Sequence, residues 1–287
     1  MAVSPSTPQL GPPKAEAKLL ALRARVRSMR RLLVAYSGGV DSAFLAWVAH
    51  QELGDMLAVL ADSPSLARWQ LHDAVAFADE NRIPLVTIET AEMERAEYRR
   101  NDSARCFHCK DELFTVIEQY RRKNGFDVIA YGVNLDDQAD YRPGQLAARE
   151  HGIAAPLLES GLTKNEIRQL AREAGLRIWD KPASPCLSSR IEYGRPVTRE
   201  ALTAIEAGED ALRRLGFRQF RVRHHGEIVR IEIAREELHR ATAAGMAPEL
   251  TRIFKGLGFS FVTLDLEGFR SGSLNALLPE QSLLQKP

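Results

Sequence analysis

Six residues, Ser37-Gly38-Gly39-Val40-Asp41-Ser42, stand directly between an apolar run, Leu32 to Tyr36, and an amphipathic one, Ala43 to Leu53. A strand, a glycine loop and a helix in that order constrain this chain more than any other feature in it. Adjacent glycines let backbone amides approach an anion with no Cβ in the way. The helix behind them offers unpaired N–H groups and the positive end of its dipole. Ser37 and Ser42 add hydroxyl donors, and Asp41 is suited to orient the loop or to hold a metal ion. The loop is neither a GxGxxG turn nor a Walker loop, which would carry a lysine before its last serine. A turn that merely needs small residues is the plain alternative, and the strand–loop–helix setting argues against it.

The same alternation continues along the chain. Met56 to Asp62 and Pro84 to Glu89 read as strands, with a helix from Leu66 to Glu80 between them. A polar segment runs to Lys110, Asp111 to Arg122 has helical periodicity, and Val128 to Val133 and Ile153 to Leu158 read as two more strands. Strand followed by helix, repeated, implies an α/β fold whose parallel sheet is covered on both faces. Thr163 with Glu166 three positions later has the spacing of a capping box, and Gly175 suits the end of that helix. After the irregular stretch from Trp179 to Pro196 the rhythm changes. A helix from Thr198 to Leu215, a hairpin of Phe220 to His224 with Ile228 to Ala234, a helical segment and a last strand, Phe259 to Leu264, read as a smaller α+β domain. The expected organisation is a leader at 1–17, a nucleotide domain at 18–194, the smaller domain at 195–277 and a tail at 278–287. The leader is expected to be disordered, with an arginine-rich helix from Lys18 to Arg31 after it. Trp47 and Trp69 fall on apolar helical faces and are expected in the core.

Charge and cysteine usage limit the function classes. Thirty-nine basic residues face 38 acidic ones, a net charge of +1, so nothing global draws the chain to nucleic acid or to a membrane surface. No apolar run approaches bilayer-spanning length. With three cysteines and no apolar signal core at the N-terminus, a disulfide framework is not expected, which points to the reducing cytosol.

Ser37 to Ser42 resembles the PP-loop signature of ATP pyrophosphatases. That resemblance implies binding of ATP by Ser37, Gly38, Gly39, Val40, Asp41 and Ser42, adenylation of a carbonyl or carboxyl oxygen, and release of pyrophosphate. By fold analogy the adenosine lies near Asp62 and Ser63 at the end of the second strand. The cysteines suggest the step after adenylation. Cys106-Phe107-His108-Cys109 is a CxxC placed in a polar loop before a helix, and Cys186 lies in Pro182-Ala183-Ser184-Pro185-Cys186-Leu187-Ser188-Ser189-Arg190. Three thiolates without a fourth favour two readings, an iron–sulfur cluster with one unprotected iron or zinc completed by His108 or water, against the plain alternative of three unrelated buried thiols.

Three further segments narrow the family: Gly132-Val133-Asn134-Leu135-Asp136-Asp137 with Asp140-Tyr141-Arg142-Pro143-Gly144, the stretch Lys181 to Arg190, and Gly268-Phe269-Arg270-Ser271-Gly272-Ser273-Leu274-Asn275. Together with the loop they resemble the LarE family of ATP-dependent sulfur transferases, from about residue 18 to 277. The resemblance implies adenylation of a carboxylate of pyridinium-3,5-biscarboxylic acid mononucleotide and its conversion to a thiocarboxylate, on the way to the nickel-pincer cofactor of lactate racemase. It implies one of two roles for Cys186: a sacrificial sulfur donor left as dehydroalanine, or a ligand that joins the CxxC pair around a 4Fe-4S cluster. With Cys106, Cys109 and Cys186 all present, the cluster version is expected. ATP and magnesium are the other expected cofactors. Expected partners are a small nucleotide substrate, a sulfur donor such as sulfide or a cysteine desulfurase, the other nickel-pincer biosynthesis proteins, and further copies of the chain in a homo-oligomer, a hexamer by family analogy.

The remaining candidates are weighed residue by residue. Arg221 and Arg223 alternate on one face of a strand and suit a phosphate through bidentate hydrogen bonds, against the alternative of a solvated charged face. Arg190 and Arg270 sit in the family-like motifs and are expected to bind anions, as is Arg142. Asp137 is a candidate magnesium or substrate ligand and Asn134 a candidate for the nucleotide pocket. Two other enzyme classes share the loop. A tRNA thiolase would need a basic surface, and an ammonia-using ligase would need no cysteine trio.

Overall fold

The computed structural model of the chain describes residues 14–139 and 143–270. Helix α1 (Lys14–Ser28) is followed by β1 (Leu32–Tyr36), α2 (Val40–Glu52), β2 (Met56–Asp62), α3 (Arg68–Glu80) and β3 (Leu85–Glu89). A short α4 (Ala96–Arg99), the long α5 (Arg105–Asn124), β4 (Val128–Tyr131), α6 (Pro143–Glu150), α7 (Pro156–Glu159) and α8 (Lys164–Glu173) complete the first part. Then come α9 (Arg199–Arg214), β5 (Phe220–His225), β6 (Ile228–Ile233), α10 (Leu238–Ala241), α11 (Met246–Gly256) and β7 (Phe261–Leu264).

Strands β1 to β4 form a parallel sheet in the order β3-β2-β1-β4. The side-chain period of two sorts its residues onto two faces. Leu32, Val34 and Tyr36 join Ala58, Leu60 and the apolar sides of α1, α2, α3 and α8 in one core. Leu33, Val59 and Ile129 point the other way, against Phe114, Ile117, Ala147 and Ala148 of α5 and α6. Both faces are therefore covered, as an all-parallel sheet requires. The chain leaves β1 for β2 on one side and reaches β4 on the other, and ligands collect beyond the strand ends where the order reverses.

The second sheet runs β5-β6-β7, antiparallel then parallel. Its apolar face, Val222, Val229, Ile231 and Ile233, packs with Leu202, Ile205 and Leu212 of α9 and with Leu250 and Phe254 of α11. Ala67, Met93 and Tyr98 of the first part belong to the same core, so the two parts share apolar contacts. Among the described residues no helix is long and apolar enough to cross a membrane.

Three local expectations are corrected. Ile153 to Leu158 is not a fifth strand. A single bridge joins Ala154 to Ala130, and Pro156 opens the turn of α7, where its missing N–H costs nothing. Helix α1 starts at Lys14, because Ala15 is buried in the core with Leu22 and Val26, and it ends before Arg30, whose φ is +56°. Helix α5 starts at Arg105, six residues earlier than its periodicity shows, so the CxxC lies in its first turns and not in a loop. Asp102 sets that start, accepting the Ala104 N–H on its side chain at 2.9 Å and the Arg105 N–H on its carbonyl at 3.1 Å. The capping box on α8 is present as read, with Thr163 and Glu166 exchanging hydrogen bonds.

Candidate active site

The glycine loop turns from β1 into α2 at the carboxyl edge of the sheet. Ser42 Oγ accepts the Ser37 N–H at 3.1 Å and lies 3.0 Å from Ser37 Oγ, so the two serines close the loop on itself. Gly38 has φ +68°, and a Cβ there would stand 2.5 Å from that of Ala74 on α3. Gly132, just past β4, would place a Cβ 2.5 Å from the Ser42 nitrogen. The neighbouring helix and the neighbouring strand thus both press on the loop at positions where only glycine fits.

The loop has no lysine of its own, and two arrive from elsewhere. Lys164 Nζ meets Asp41 Oδ2 at 2.5 Å, and Lys181 Nζ donates to the Gly38 carbonyl at 2.8 Å while also pairing with Asp73. Burial raises the Asp41 pKa above the ordinary carboxylate value, with Lys164 pulling the other way. Among the described residues no hydrogen bond of ordinary geometry reaches the buried Asp41 Oδ1, and besides Lys164 the Asn134 amide acts on this carboxyl. Sequence reading missed both lysines as site residues. One signal was available for Lys164: a lysine in the first turn of a helix opposes the dipole, so its charge is wanted by something outside the helix.

A cavity of about 200 Å³ opens beside the loop, lined by Ser37, Ser42, Gly132, Ser63, Ser65 and Cys109 among others. Glu92, only 1% exposed, faces it and is hydrogen-bonded by Ser63; it too was missed, because nothing in a polar stretch marks one glutamate for burial. Asp62, in contrast, is ion-paired to Arg68 at 2.5 Å and is not among the lining residues. Asn134 is buried, donating its backbone N–H to Asp137 Oδ2 at 3.1 Å; its side chain favours the Asp41 carboxylate by hydrogen bonding, while the Asp137 charge opposes it. Val40 is buried at the start of α2. Arg142 lies outside the described residues, as do Ser271 to Asn275.

One of the three cysteines, Cys109, lines this cavity, and the other two act on its thiol electrostatically. Cys109 lines the cavity from α5, and Cys186 is held nearby because the Leu187 N–H donates to the Ser65 carbonyl at 2.8 Å. Burial pushes the Cys109 thiol well above its ordinary range, and Cys186 and Cys106 add to the rise, so the thiols lie within electrostatic reach of one another. Cys106 is exposed. Among the described residues no three His, Cys, Asp or Glu side chains are drawn closely enough to close a metal site. The donor chemistry suits a thiolate-bound metal or cluster, and the set is open.

The Cys186 segment also helps wall a larger cavity of about 570 Å³, lined by Pro182, Pro185, Ser189, Arg190, Arg221 and Arg223 among others. Trp69 and Arg270 line it as well; Trp69 packs against the core of the second sheet as expected and also serves as a cavity wall under Arg213, 4.8 Å from its ring. The arginines differ in state. Arg190 forms a two-pronged pair with Glu209 at 2.9 and 3.2 Å, and Arg223 pairs with Glu232 at 2.8 Å. Arg270 reaches Glu267 at 2.5 Å. Arg221 donates to the Phe220 carbonyl at 2.7 Å and lies over the Phe269 ring at 4.9 Å. Burial, helped by Arg190, pulls its pKa down to about 10, so it remains a cation at neutral pH with no carboxylate pair among the described residues.

Known proteins are similar to this chain. An uncharacterized protein of Synechocystis sp. is 43% identical over 264 residues, 92% of this chain and 98% of its own length. The pyridinium-3,5-bisthiocarboxylic acid mononucleotide synthase of Lactiplantibacillus plantarum is 32% identical over 268 residues, 93% of this chain and 96% of its own. More distantly, a glutamine-hydrolyzing GMP synthase of Heliobacterium modesticaldum is 25% identical over 215 residues, covering 68% of this chain and 41% of that protein. No protein-family profile matches the chain.

Proposed function

The chain belongs to the LarE family of ATP-dependent sulfur transferases, and from that premise we propose that it uses ATP to adenylate a carboxylate of pyridinium-3,5-biscarboxylic acid mononucleotide and puts sulfur in place of the oxygen. One observation carries the reading: the segment that bears Cys186 helps wall the arginine cavity and is hydrogen-bonded, through the Leu187 N–H, to Ser65 of the glycine-loop cavity. ATP would lie with its phosphates on the amides of Gly38, Gly39, Val40 and Asp41, supported by Ser37, Ser42 and the two incoming lysines. The buried Oδ1 of Asp41 suits magnesium, with Asp137 close enough to act on the same carboxyl. The substrate's phosphate would be gripped by Arg221, with Arg223, Arg190 and Arg270 shaping the cavity around it.

The chemistry follows from charge. A carboxylate oxygen attacks the α-phosphorus and pyrophosphate leaves, which turns a poor leaving oxygen into AMP. The glycine loop stabilises the charge that builds on the departing phosphates. Sulfur then adds to the acyl carbon and AMP departs. Cys106, Cys109 and Cys186 would hold a 4Fe-4S cluster, with zinc the lesser alternative; such a cluster supplies an open iron for a sulfur ligand. The sulfur is drawn from sulfide or a cysteine desulfurase, and the product passes to the other nickel-pincer biosynthesis proteins that serve lactate racemase. The division into 18–194 and 195–277 belongs to the same proposal, with the smaller part joining copies in a homo-oligomer, a hexamer by family resemblance.

Anaerobic enzyme, analysed for iron and sulfide and assayed for pyrophosphate release with the dicarboxylate mononucleotide, tests the reading. Release that depends on that substrate, with a thiocarboxylate product by mass spectrometry, supports it. ATP bound without any cleavage between the α and β phosphorus atoms would end it.

A further inference from the structure

The two thiol-bearing segments lie about eighty residues apart in the chain, and one buried cluster joins them. Tyr98, Asn101 and Arg105 are 1%, 0% and 4% exposed. Tyr98 Oη lies 2.5 Å from Ser188 Oγ, and Arg105 Nη1 donates to the Ser188 carbonyl at 2.9 Å and to Asn101 Oδ1. Asn101 has φ +57°, a left-handed conformation that asparagine tolerates better than most side chains. From there its amide donates to the carbonyls of Glu192 at 2.8 Å and Arg195 at 2.9 Å. Arg105 immediately precedes Cys106, and Ser188 is two residues beyond Cys186. The Arg105–Ser188 hydrogen bond is therefore a short link between the CxxC and the third thiol.

The charge of Arg105 matters as much as its hydrogen bonds. Among the described residues no carboxylate pairs with it; its neighbours are the Asn101 and Ser188 oxygens, the Tyr193 ring at 5.6 Å, and the sulfurs of Cys186 and Cys106 within electrostatic reach. A buried cation balanced only by neutral acceptors is costly, and anionic sulfur beside it removes that cost.

We infer that Arg105, held by Asn101, is a positioning residue that sets the CxxC against Cys186 and supplies the positive charge for anionic sulfur gathered there. This rests on the three-thiol reading above. It assigns to a non-cysteine side chain the task of bringing an open set of thiols into register.

Cadmium ion, titrated into the reduced, metal-free full-length protein and followed by its thiolate charge-transfer absorption, tests the inference. The wild type is expected to show a three-thiolate band that loses one thiolate's share in Cys186→Ser. Arg105→Gln is expected to bind cadmium about 10- to 100-fold more weakly, the scale of a lost charge-assisted hydrogen bond. Arg105→Lys, which keeps the charge and loses the fork, recovers part of that affinity. ATP affinity and thermal midpoint are read in parallel and should move far less than cadmium affinity. Wild-type cadmium affinity and absorption in Arg105→Gln would overturn the inference. Should that variant fail to fold, Tyr98→Phe decides: about fivefold weaker binding supports the clamp, and unchanged binding overturns it. A wild-type band that Cys186→Ser leaves untouched ends the three-thiol reading and this inference together.

Discussion

Adding one methyl group at Gly132 should disable the glycine loop from a residue outside it. An ideal Cβ at that position stands 2.5 Å from the Ser42 nitrogen, 2.7 Å from its Cα and 2.9 Å from the Asp41 carbonyl carbon. All three are backbone atoms, so no side chain can swing away. Ordinary contact begins near 3.4 Å, so the end of β4 and the start of α2 must part by about 1 Å. Strand β4 resists, being paired in register with β1 from Val128 to Tyr131. Overpacking of this kind costs about 1–3 kcal/mol. With a urea slope of about 2–3 kcal/mol/M, the midpoint of Gly132→Ala should fall by roughly 0.3–1.5 M. A displacement of this size in a phosphate cradle is expected to slow pyrophosphate release roughly a hundredfold. Gly39→Ala is the control. Gly39 has φ −76°, and its Cβ would meet only Ser37 Oγ, at 3.5 Å. Its urea midpoint should stay near the wild-type value. A Gly132→Ala protein with normal midpoint and normal pyrophosphate release would refute the packing argument, as would a Gly39→Ala protein destabilised to the same degree.

Cys186→Ser should separate the two half-reactions, retaining substrate-dependent pyrophosphate release while mass spectrometry finds no thiocarboxylate; loss of both would place Cys186 in nucleotide binding. Arg221→Ala should raise the KM for the mononucleotide roughly tenfold or more and leave the KM for its dephosphorylated nucleoside unchanged, since only a phosphate uses the guanidinium fork. His151 meets Asp111 Oδ1 at 2.9 Å and Glu118 Oε1 at 3.1 Å, pinning α6 to α5, and Arg95 pairs with the same Asp111 at 2.6 Å. Burial alone would lower the His151 pKa, but hydrogen bonds to Asp111 and Glu118 outweigh it and the pKa is raised. A raised histidine pKa stabilises the fold fully below the unfolded value of about 6.5 and loses that contribution as pH climbs through the folded value. The gap in urea midpoint between wild type and His151→Gln should therefore shrink from pH 6 to pH 9, and a constant gap would count against the pairing.

Much of this was legible before any coordinates. The glycine loop, the Thr163 capping box and the strand–helix alternation are local features, set by backbone freedom, hydrogen bonding to the next turn and side-chain period. The misreadings have a common cause. Ile153 to Leu158 is apolar enough for a strand, yet Pro156 and the single bridge at Ala154 turn it into a helical start. The CxxC reads as a loop because Cys, Phe and His carry no helical period, whereas Asp102 starts the helix beneath it. Trp69 does pack on the core, and its second place as the wall of an arginine cavity was not legible because Arg213 is brought to it from α9.

The chemistry on offer, an anion cradle, three thiols and a set of arginines, is written in residue types and short spacings along the chain. Which of these groups face one another is settled only when the chain packs. Lys164 and Lys181 reach a loop more than a hundred residues upstream, Glu92 goes under Ser63, and Arg221 keeps its charge available while Arg190 and Arg223 pair with buried glutamates. Backbone geometry acts over a turn or two and leaves a pattern in the chain. Electrostatic partners are chosen instead by the packing of segments far apart in it, and that choice leaves no period to read.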